Sequence, residues 1–174
     1  MAGEALSSRR IYEGKILNLR LDEVRLADGS TTRREIVEHG ACVAIVAVDG
    51  EGRLLLVKQP RPATEKELLE IPAGCLEPGE DPADAARREL AEETGFKPQK
   101  VERLGGFYSA PGFCTEYLHL YLASGLVPHR LTAEDTDEIE VVKVKPQQAL
   151  ELIRSGAIED AKSIAGLLRY LCEE

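Results

Sequence analysis

Three glutamates stand close together in the segment GCLEPGEDPADAARRELAEETGF, which runs from Gly74 to Phe96. If the end of this segment is helical, successive residues advance by about 100°, so Glu89, Glu92 and Glu93 share one arc of the helix surface. Oxygen-rich clusters of this kind bind hard divalent cations such as Mg²⁺ or Mn²⁺, the usual partners of phosphate. The alternative is a solvated acidic face. The spacing therefore predicts either metal-assisted phosphate chemistry or a helix surface that serves solubility alone.

The helix that must carry these glutamates is marked at both ends. Asp81 is a good N-cap, Pro82 suits the first helical position, and Gly95 is a typical residue just past a helix end. These signals predict a helix from about Pro82 to Thr94. A neighbouring apolar stripe, which would dock the helix on a sheet, comprises Ala83, Ala86 and Leu90.

The rest of the chain is rich in strand patterns. Leu17, Leu19 and Leu21 alternate with polar residues, and the segment Ala41 to Gln59 reads as a hairpin of two apolar strands around the turn DGEG. Further strands are predicted at EYLHLYLA and IEVVKVK, and two helices near residues 146–154 and 160–171. This order predicts an α/β fold in which a mixed sheet is covered by helices on both faces.

Size and charge narrow the functional classes. The 174 residues suit one compact domain with a small appendage, and a boundary near residue 40 would separate a strand-rich N-terminal part. The formal net charge of -9 disfavours nucleic acid and anionic membranes as partners. The longest apolar run is too short to cross a bilayer, and the N-terminus lacks the apolar core of a secretory signal. We therefore expect a cytoplasmic protein.

The segment of the three glutamates resembles the Nudix box, the signature of the Nudix hydrolases. That signature is Gly, five residues, Glu, seven residues, and then Arg-Glu-apolar-any-Glu-Glu-any-Gly-apolar. Every specified position is matched, by Gly74, Glu80, Arg88, Glu89, Leu90, Glu92, Glu93, Gly95 and Phe96. The resemblance implies an α/β/α sandwich with a mixed sheet. It also implies hydrolysis of nucleoside diphosphates linked to another moiety.

The resemblance also implies roles for individual residues. The metal ligands it implies are Glu89 and Glu93, assisted by Glu92, together with the main-chain carbonyl of Ala73. Arg88 would orient the glutamates by pairing with them, and Glu80 would brace the loop. The expected cofactor is Mg²⁺, with Mn²⁺ as an alternative. Such cations neutralise a pyrophosphate and activate a water molecule, so an acidic protein can bind an anionic substrate.

Outside the box, the chain resembles the ADP-ribose pyrophosphatase branch of the family over nearly its full length. The segments that carry this likeness are Arg33 to Gly40, Lys58 to Ala63 and Ser109 to Phe113, with Glu116 close behind. The substrate-binding residues it implies are Arg34, Glu35, Arg61, Pro111, Gly112 and Glu116. Arginines suit this role because the guanidinium fork grips phosphate with two hydrogen bonds. The implied reaction converts ADP-ribose to AMP and ribose 5-phosphate.

The same branch implies an assembly. Its members are commonly homodimers with intertwined N-terminal strands, and residues 1–40 look too small to be stable alone. We therefore expect residues 1–40 to form a β-rich segment that mediates dimerisation, and residues 41–174 to form the Nudix hydrolase domain.

The catalytic base is left with several candidates. The branch places it in an acidic loop before the last strand, where this chain has AEDTDEIEVV. The matching positions are Asp135 and Asp137, whose side chains are shorter than the glutamates that relatives often carry. Glu92 or Glu93 could serve instead. Two rival functions also remain, another nucleoside-diphosphate-sugar hydrolase of the GDP-mannose type and a Nudix-derived sensor that binds ADP-ribose without cleaving it.

Overall fold

The computed structural model describes residues 4–129 and 139–172. The chain divides into two compact units. The N-terminal unit comprises Met1–Ala41 with Tyr108–Tyr117, and the α/β unit comprises Cys42–Phe107 with Leu118–Glu174. A division at residue 40, with dimerisation by the first segment, stays a prediction.

The N-terminal unit is a three-stranded antiparallel sheet in the order β1-β2-β3. Its strands are β1 (Glu4–Glu13), β2 (Leu17–Arg25) and β3 (Thr31–His39). The turn between β2 and β3 depends on Gly29, whose φ of 84° lies in the left-handed region that glycine adopts freely. The segment 108–117 joins β3: the Val37 N–H donates to the Phe113 carbonyl at 2.7 Å, and the Thr115 N–H donates to the Val37 carbonyl at 3.0 Å.

The α/β unit contains the three helices found among the described residues and a seven-stranded sheet in the order β10-β5-β4-β9-β8, with β6 paired to β5 and β7 paired to β4. Its elements in chain order are β4 (Cys42–Val48), β5 (Leu54–Arg61), β6 (Lys66–Glu70), β7 (Ala73–Cys75), α1 (Pro82–Thr94), β8 (Phe96–Tyr108), β9 (Tyr117–Pro128), β10 (Glu140–Val144), α2 (Pro146–Ser155) and α3 (Ala161–Leu171). Strand β4 pairs in parallel with β9 and antiparallel with β5 and β7, so the predicted mixed sheet is confirmed. No helix among residues 4–129 and 139–172 is long and apolar enough to span a membrane.

Strand β4 lies at the centre of two cores. Its alternate residues Val43 and Ile45 are fully buried in the core that α1 covers with Leu90. Ala44 and Val46 point to the opposite core, where α2 contributes Ala149 and α3 contributes Leu167. A strand covered on both faces needs a continuous apolar run, which is why CVAIVAV shows no polar alternation. The predicted coverage by helices on both faces is confirmed.

Helix α1 begins and ends where the sequence predicts. The Asp81 side chain accepts a hydrogen bond from the Ala83 N–H at 2.8 Å, and Pro82 occupies the first turn. Gly95, with φ of 73°, ends the helix and donates its N–H to the Ala91 carbonyl at 3.0 Å. The antiparallel pairing of β7 with β4 then sets Ala73 opposite Ala44. Helix and strand β7 together bring the box glutamates to the backbone of Ala73 and Gly74.

Candidate active site

Arg88 is the centre of an acidic cluster on α1. Its Nη1 donates to Glu89 Oε1 at 2.7 Å and to Glu92 Oε2 at 3.1 Å, while its Nε and Nη2 both reach Glu80 at 2.8 Å. Hydrogen bonding to Glu80 raises the pKa of Arg88 above its ordinary value, so the side chain stays cationic. One guanidinium thus faces three carboxylates, and the cluster keeps an excess of negative charge.

Glu80 is hydrogen-bonded both to the loop that precedes α1 and to Arg88. Its Oε2 accepts the Glu77 N–H at 2.9 Å, and both of its oxygens accept from Arg88. These bonds, those from Arg88 above all, lower the pKa of the Glu80 carboxyl. Because each oxygen already has a donor, this contact pattern fits the predicted bracing role.

Gly74 makes room for the carboxylate of Glu89. A Cβ placed on Gly74 would lie 2.0 Å from Glu89 Cδ and 2.2 Å from each of its oxygens, far closer than any tolerated contact. Any larger residue here would force the Glu89 carboxylate to move. Glu89 is thereby held 13% exposed. Burial raises the pKa of its carboxyl, and the negative charges of Glu92 and Glu80 raise it further against the opposing effect of Arg88.

Glu93 occupies the interior end of the cluster. Its Oε2 accepts the Ala73 N–H at 3.1 Å. Burial raises the pKa of the Glu93 carboxyl to about 8, and the charge of Glu89 adds to that shift although Arg61 and Lys162 oppose it. A carboxylate in such surroundings needs a proton or a cation to be stable. Buried carboxylate oxygens beside a glycine cradle are the donor set that a hard divalent cation prefers, so the residues present fit such an ion.

The raised pKa of Glu93 predicts how stability varies with pH when divalent metal is withheld. The unfolded chain loses this proton near the ordinary value of 4.5 and the folded chain only near 8, so the folded state binds more protons between the two. The free energy of unfolding contributed by this group therefore falls as the pH rises from 4.5 to about 8. Glu93→Gln should remove that fall. Thermal unfolding of the two proteins in chelator across the range measures it, and parallel curves would contradict it.

A second charged network lies at the end of β5. Glu70 is 1% exposed and accepts two hydrogen bonds from Arg61, from Nε at 2.8 Å and from Nη2 at 2.7 Å. Lys162 also donates to Glu70 and, at 3.0 Å, to Asp160. Sequence reasoning singled out Arg61 but missed its partner Glu70 and the two residues that complete the network, Lys162 and Asp160. No local signal marks them, because Lys162 lies 92 residues from Glu70 along the chain.

Two buried polar atoms have no hydrogen-bond partner among the described residues. They are Nε2 of Gln59 and Oδ1 of Asp160. Gln59 lies on the same face of β5 as Arg61 because side chains two residues apart in a strand point the same way. Buried amide groups are almost always paired, so the Gln59 nitrogen is a donor available to a bound oxygen or to water.

The N-terminal unit holds the other residues predicted to bind substrate. Arg34 and Glu35 are exposed on β3 and line a cleft of about 680 Å³. The other residues of that cleft are Leu19, Leu21, Arg33, Val37 and Phe113. Phe113, which is 57% exposed, was not singled out from sequence. It becomes a candidate binding residue only in the structure, where it lines the same cleft as Arg33 and Arg34.

The remaining predicted residues are placed as follows. Pro111 and Gly112 are exposed in the 108–117 segment. Glu116 is partly buried, and its Oε1 lies 3.6 Å from His39 Nδ1. Asp135 and Asp137 lie outside the described residues.

Comparison with known proteins agrees with this geometry. Residues 38–167 match the model of the NUDIX domain, and residues 4–37 match that of the nucleoside diphosphate sugar hydrolase N-terminal domain. The chain belongs to the Nudix family. The resemblance drawn from the box is thereby confirmed. Members of this family generally use divalent metal cations.

Individual members of the Nudix family resemble the chain over most of its length. The ADP-ribose pyrophosphatase of Bacillus subtilis is 38% identical over 97% of this chain and 91% of its own. The methanol dehydrogenase activator of Bacillus methanolicus is 39% identical over the same shares. A crystal structure of an ADP compounds hydrolase aligns with a TM-score of 0.89 at 20% identity, covering 98% of this chain and 92% of that one. At that identity the structure establishes the fold alone, and it confirms the predicted α/β class.

Proposed function

We propose that this Nudix chain hydrolyses the pyrophosphate bond of ADP-ribose, giving AMP and ribose 5-phosphate, with Mg²⁺ as the cofactor and Mn²⁺ as an alternative. The observation that carries the proposal is the acidic cluster of α1, in which Glu89 is seated against Gly74 and Glu93 against the Ala73 N–H. The likeness of the whole chain to an ADP-ribose pyrophosphatase supports the choice of substrate.

The proposed metal ligands are Glu89, Glu92, Glu93 and the carbonyl of Ala73. When bound, a divalent cation supplies charge neutralisation for the diphosphate and lowers the pKa of a water molecule. Arg88 keeps Glu89 and Glu92 oriented through its Nη1. Glu93 is proposed to hold its carboxylate toward the reacting groups, fixed by the Ala73 N–H. The bases proposed to take the proton of water are Asp135, Asp137, Glu92 and Glu93.

The residues proposed to bind the substrate are Arg34, Glu35, Arg61, Pro111, Gly112 and Glu116. Arginine suits the diphosphate because two of its N–H groups can bind two oxygens of one phosphate. A carboxylate such as Glu35 can accept hydrogen bonds from ribose hydroxyls or from an amino group of the base. The cleft of about 680 Å³ beside Arg34 and Glu35 supports a small-molecule ligand of nucleotide size.

The proposal includes an assembly and a location. Residues 1–40 are proposed to mediate a homodimer and residues 41–174 to form the catalytic domain, in a cytoplasmic protein that acts on a nucleoside diphosphate sugar and not on nucleic acid or membrane. Exposed apolar side chains on β1 and just after it, such as Ile11 at 48% and Ile16 at 72%, support an interface there.

A substrate panel tests the activity. With Mg²⁺ present, ADP-ribose should give the highest kcat/KM among ADP-ribose, GDP-mannose, NADH and diadenosine polyphosphates, and AMP should appear as a product. Chelation of the metal should abolish turnover, and Mg²⁺ or Mn²⁺ should restore it. Faster hydrolysis of GDP-mannose would instead favour the related sugar-nucleotide hydrolases. Binding of ADP-ribose without any turnover would indicate a sensor.

A second candidate function comes from the relative that activates methanol dehydrogenase. Its identity to this chain is 39%, against 38% for the ADP-ribose pyrophosphatase, so likeness alone does not separate the two. Adding the purified chain to a methanol dehydrogenase and measuring alcohol oxidation tests it. Activation that persists in Glu93→Gln would require a function apart from hydrolysis, whereas activation lost in that variant would trace both effects to one site.

A further inference from the structure

Glu70 is a buried carboxylate held by two cations. Its side chain is 1% exposed, and its Oε2 receives hydrogen bonds from both Arg61 Nη2 and Lys162 Nζ. Burial raises the pKa of the carboxyl, but the bonds from Arg61 and the charge of Lys162 outweigh that effect and leave it below its ordinary value. An ionised carboxylate without such partners would be strongly unfavourable in this position.

The strand register explains why these residues meet. Glu70 on β6 stands opposite Val57 on β5, and Arg61 lies on the same face because it follows Val57 by an even number of residues. Lys162 comes from the first turn of α3, whose N-cap is Asp160. The start of the last described helix is thereby joined to the end of β5 through a single carboxylate.

Arg61 donates to Glu70 through one half of its guanidinium, and no described residue accepts a side-chain hydrogen bond from the other half. The bonds use Nε and Nη2, which form one edge of the planar group. A guanidinium has five N–H donors, so the opposite edge, formed by Nη1 and the second hydrogen of Nη2, can grip another anion with two bonds. Arg61 is 39% exposed while Glu70 is 1% exposed, so the edge bound to Glu70 faces a buried group while part of the arginine side chain stays open to solvent.

Lys162 reduces the extent to which the negative charge of Glu70 offsets the positive charge of Arg61. If Glu70 faced Arg61 alone, its full negative charge would offset the charge of the guanidinium. Because Lys162 shares the Oε2 atom, Arg61 keeps more of its positive potential while its orientation is still fixed. The carboxylate of Asp160 in turn holds Lys162 at 3.0 Å.

We propose that Glu70 and Lys162 are positioning residues that hold Arg61 with its unused edge toward the diphosphate of the substrate. The proposal rests on the proposed function, in which Arg61 binds that diphosphate. Neither residue touches the substrate; both act through the orientation and charge of Arg61.

A double-mutant cycle tests this. Lys162→Met should raise KM for ADP-ribose about 10-fold with little change in kcat. It should weaken the binding of a non-hydrolysable ADP-ribose analogue, measured by calorimetry, by a similar factor. Lys162→Arg should restore most of the affinity because it can still donate to Glu70. In an Arg61→Ala background, Lys162→Met should have almost no further effect, since its target is gone. Lys66→Met, which removes an exposed lysine paired with Glu159 at 2.9 Å, is the matched control and should leave KM unchanged.

The outcomes separate this inference from the proposed function. If Arg61→Ala leaves the affinity for the analogue unchanged, the proposed role of Arg61 is wrong. If Arg61→Ala weakens binding but Lys162→Met does not, or if the two effects simply add, the positioning role is overturned. The melting temperature of each variant is measured to show that it folds. If Lys162→Met does not fold, Glu70→Gln takes its place. An unchanged KM in folded Glu70→Gln would also overturn the proposal.

Discussion

Glu93→Gln is expected to lower kcat for ADP-ribose hydrolysis by about 10²–10⁴-fold. Glutamine keeps the shape of the side chain and can still accept the Ala73 N–H, which Glu93 Oε2 now accepts at 3.1 Å. It cannot carry the negative charge that a bound cation or an activated water requires. The fold should survive, because burial already favours a neutral carboxyl at this position, with a pKa of about 8. Steady-state kinetics in saturating Mg²⁺, together with circular dichroism, measure both expectations.

The control for this substitution is Glu51→Gln. Glu51 lies in the turn between β4 and β5 with 72% of its side chain exposed, so the same chemical change there should leave kcat within about twofold. Loss of activity in both variants would point to a general effect of charge. Retention of full activity in Glu93→Gln would contradict the proposed site.

Gly74→Ala is expected to reduce activity about 10–100-fold by displacing a single carboxylate. The added methyl group would lie 2.0 Å from Glu89 Cδ, so the Glu89 side chain must leave its place beside β7. Because Arg88 Nη1 joins Glu89 to Glu92, the displacement should also disturb the second glutamate. The first observable consequence should be a higher Mg²⁺ concentration for half-maximal activity.

Gly50→Ala provides the comparison for that variant. A Cβ on Gly50 would meet nothing within 4 Å, so it tests the effect of losing a glycine without the clash. Wild-type dependence on Mg²⁺ is expected there. If Gly74→Ala shows the same Mg²⁺ dependence as Gly50→Ala, the seat of Glu89 against Gly74 has no part in metal binding.

The features that were predictable from sequence are those set by neighbouring residues. Helix α1 was placed correctly because Asp81, Pro82 and Gly95 specify its ends locally. The hairpin of β4 and β5 was likewise predicted from two apolar runs around a short turn, although β4 pairs with β5 at only two positions. The cluster around Arg88 followed from helical spacing and from the resemblance to the Nudix box.

What sequence did not reveal depends on partners that are distant along the chain. Glu70 reads as an ordinary residue of the LLEIPA segment, and its burial becomes visible only when β6 pairs with β5 and α3 brings Lys162 against it. The seat of Glu89 against Gly74 likewise depends on how β7 pairs with β4. The roles assigned to the metal ligands, to Arg34 and to Asp135 stay predictions.

The parallel pairing of β4 with β9 has a consequence for how the chain reaches its native state. Cys42 to Ala47 pair with Leu118 to Ala123, so the central strand acquires this neighbour only after the whole intervening segment has been synthesised. Hairpins such as β2–β3 close locally and quickly, whereas such distant contacts slow folding. On the ribosome, α1 and its glutamates should therefore emerge before the sheet that supports them is complete. The apolar face of β4 would be exposed during that interval, and assistance from a chaperone would matter most then.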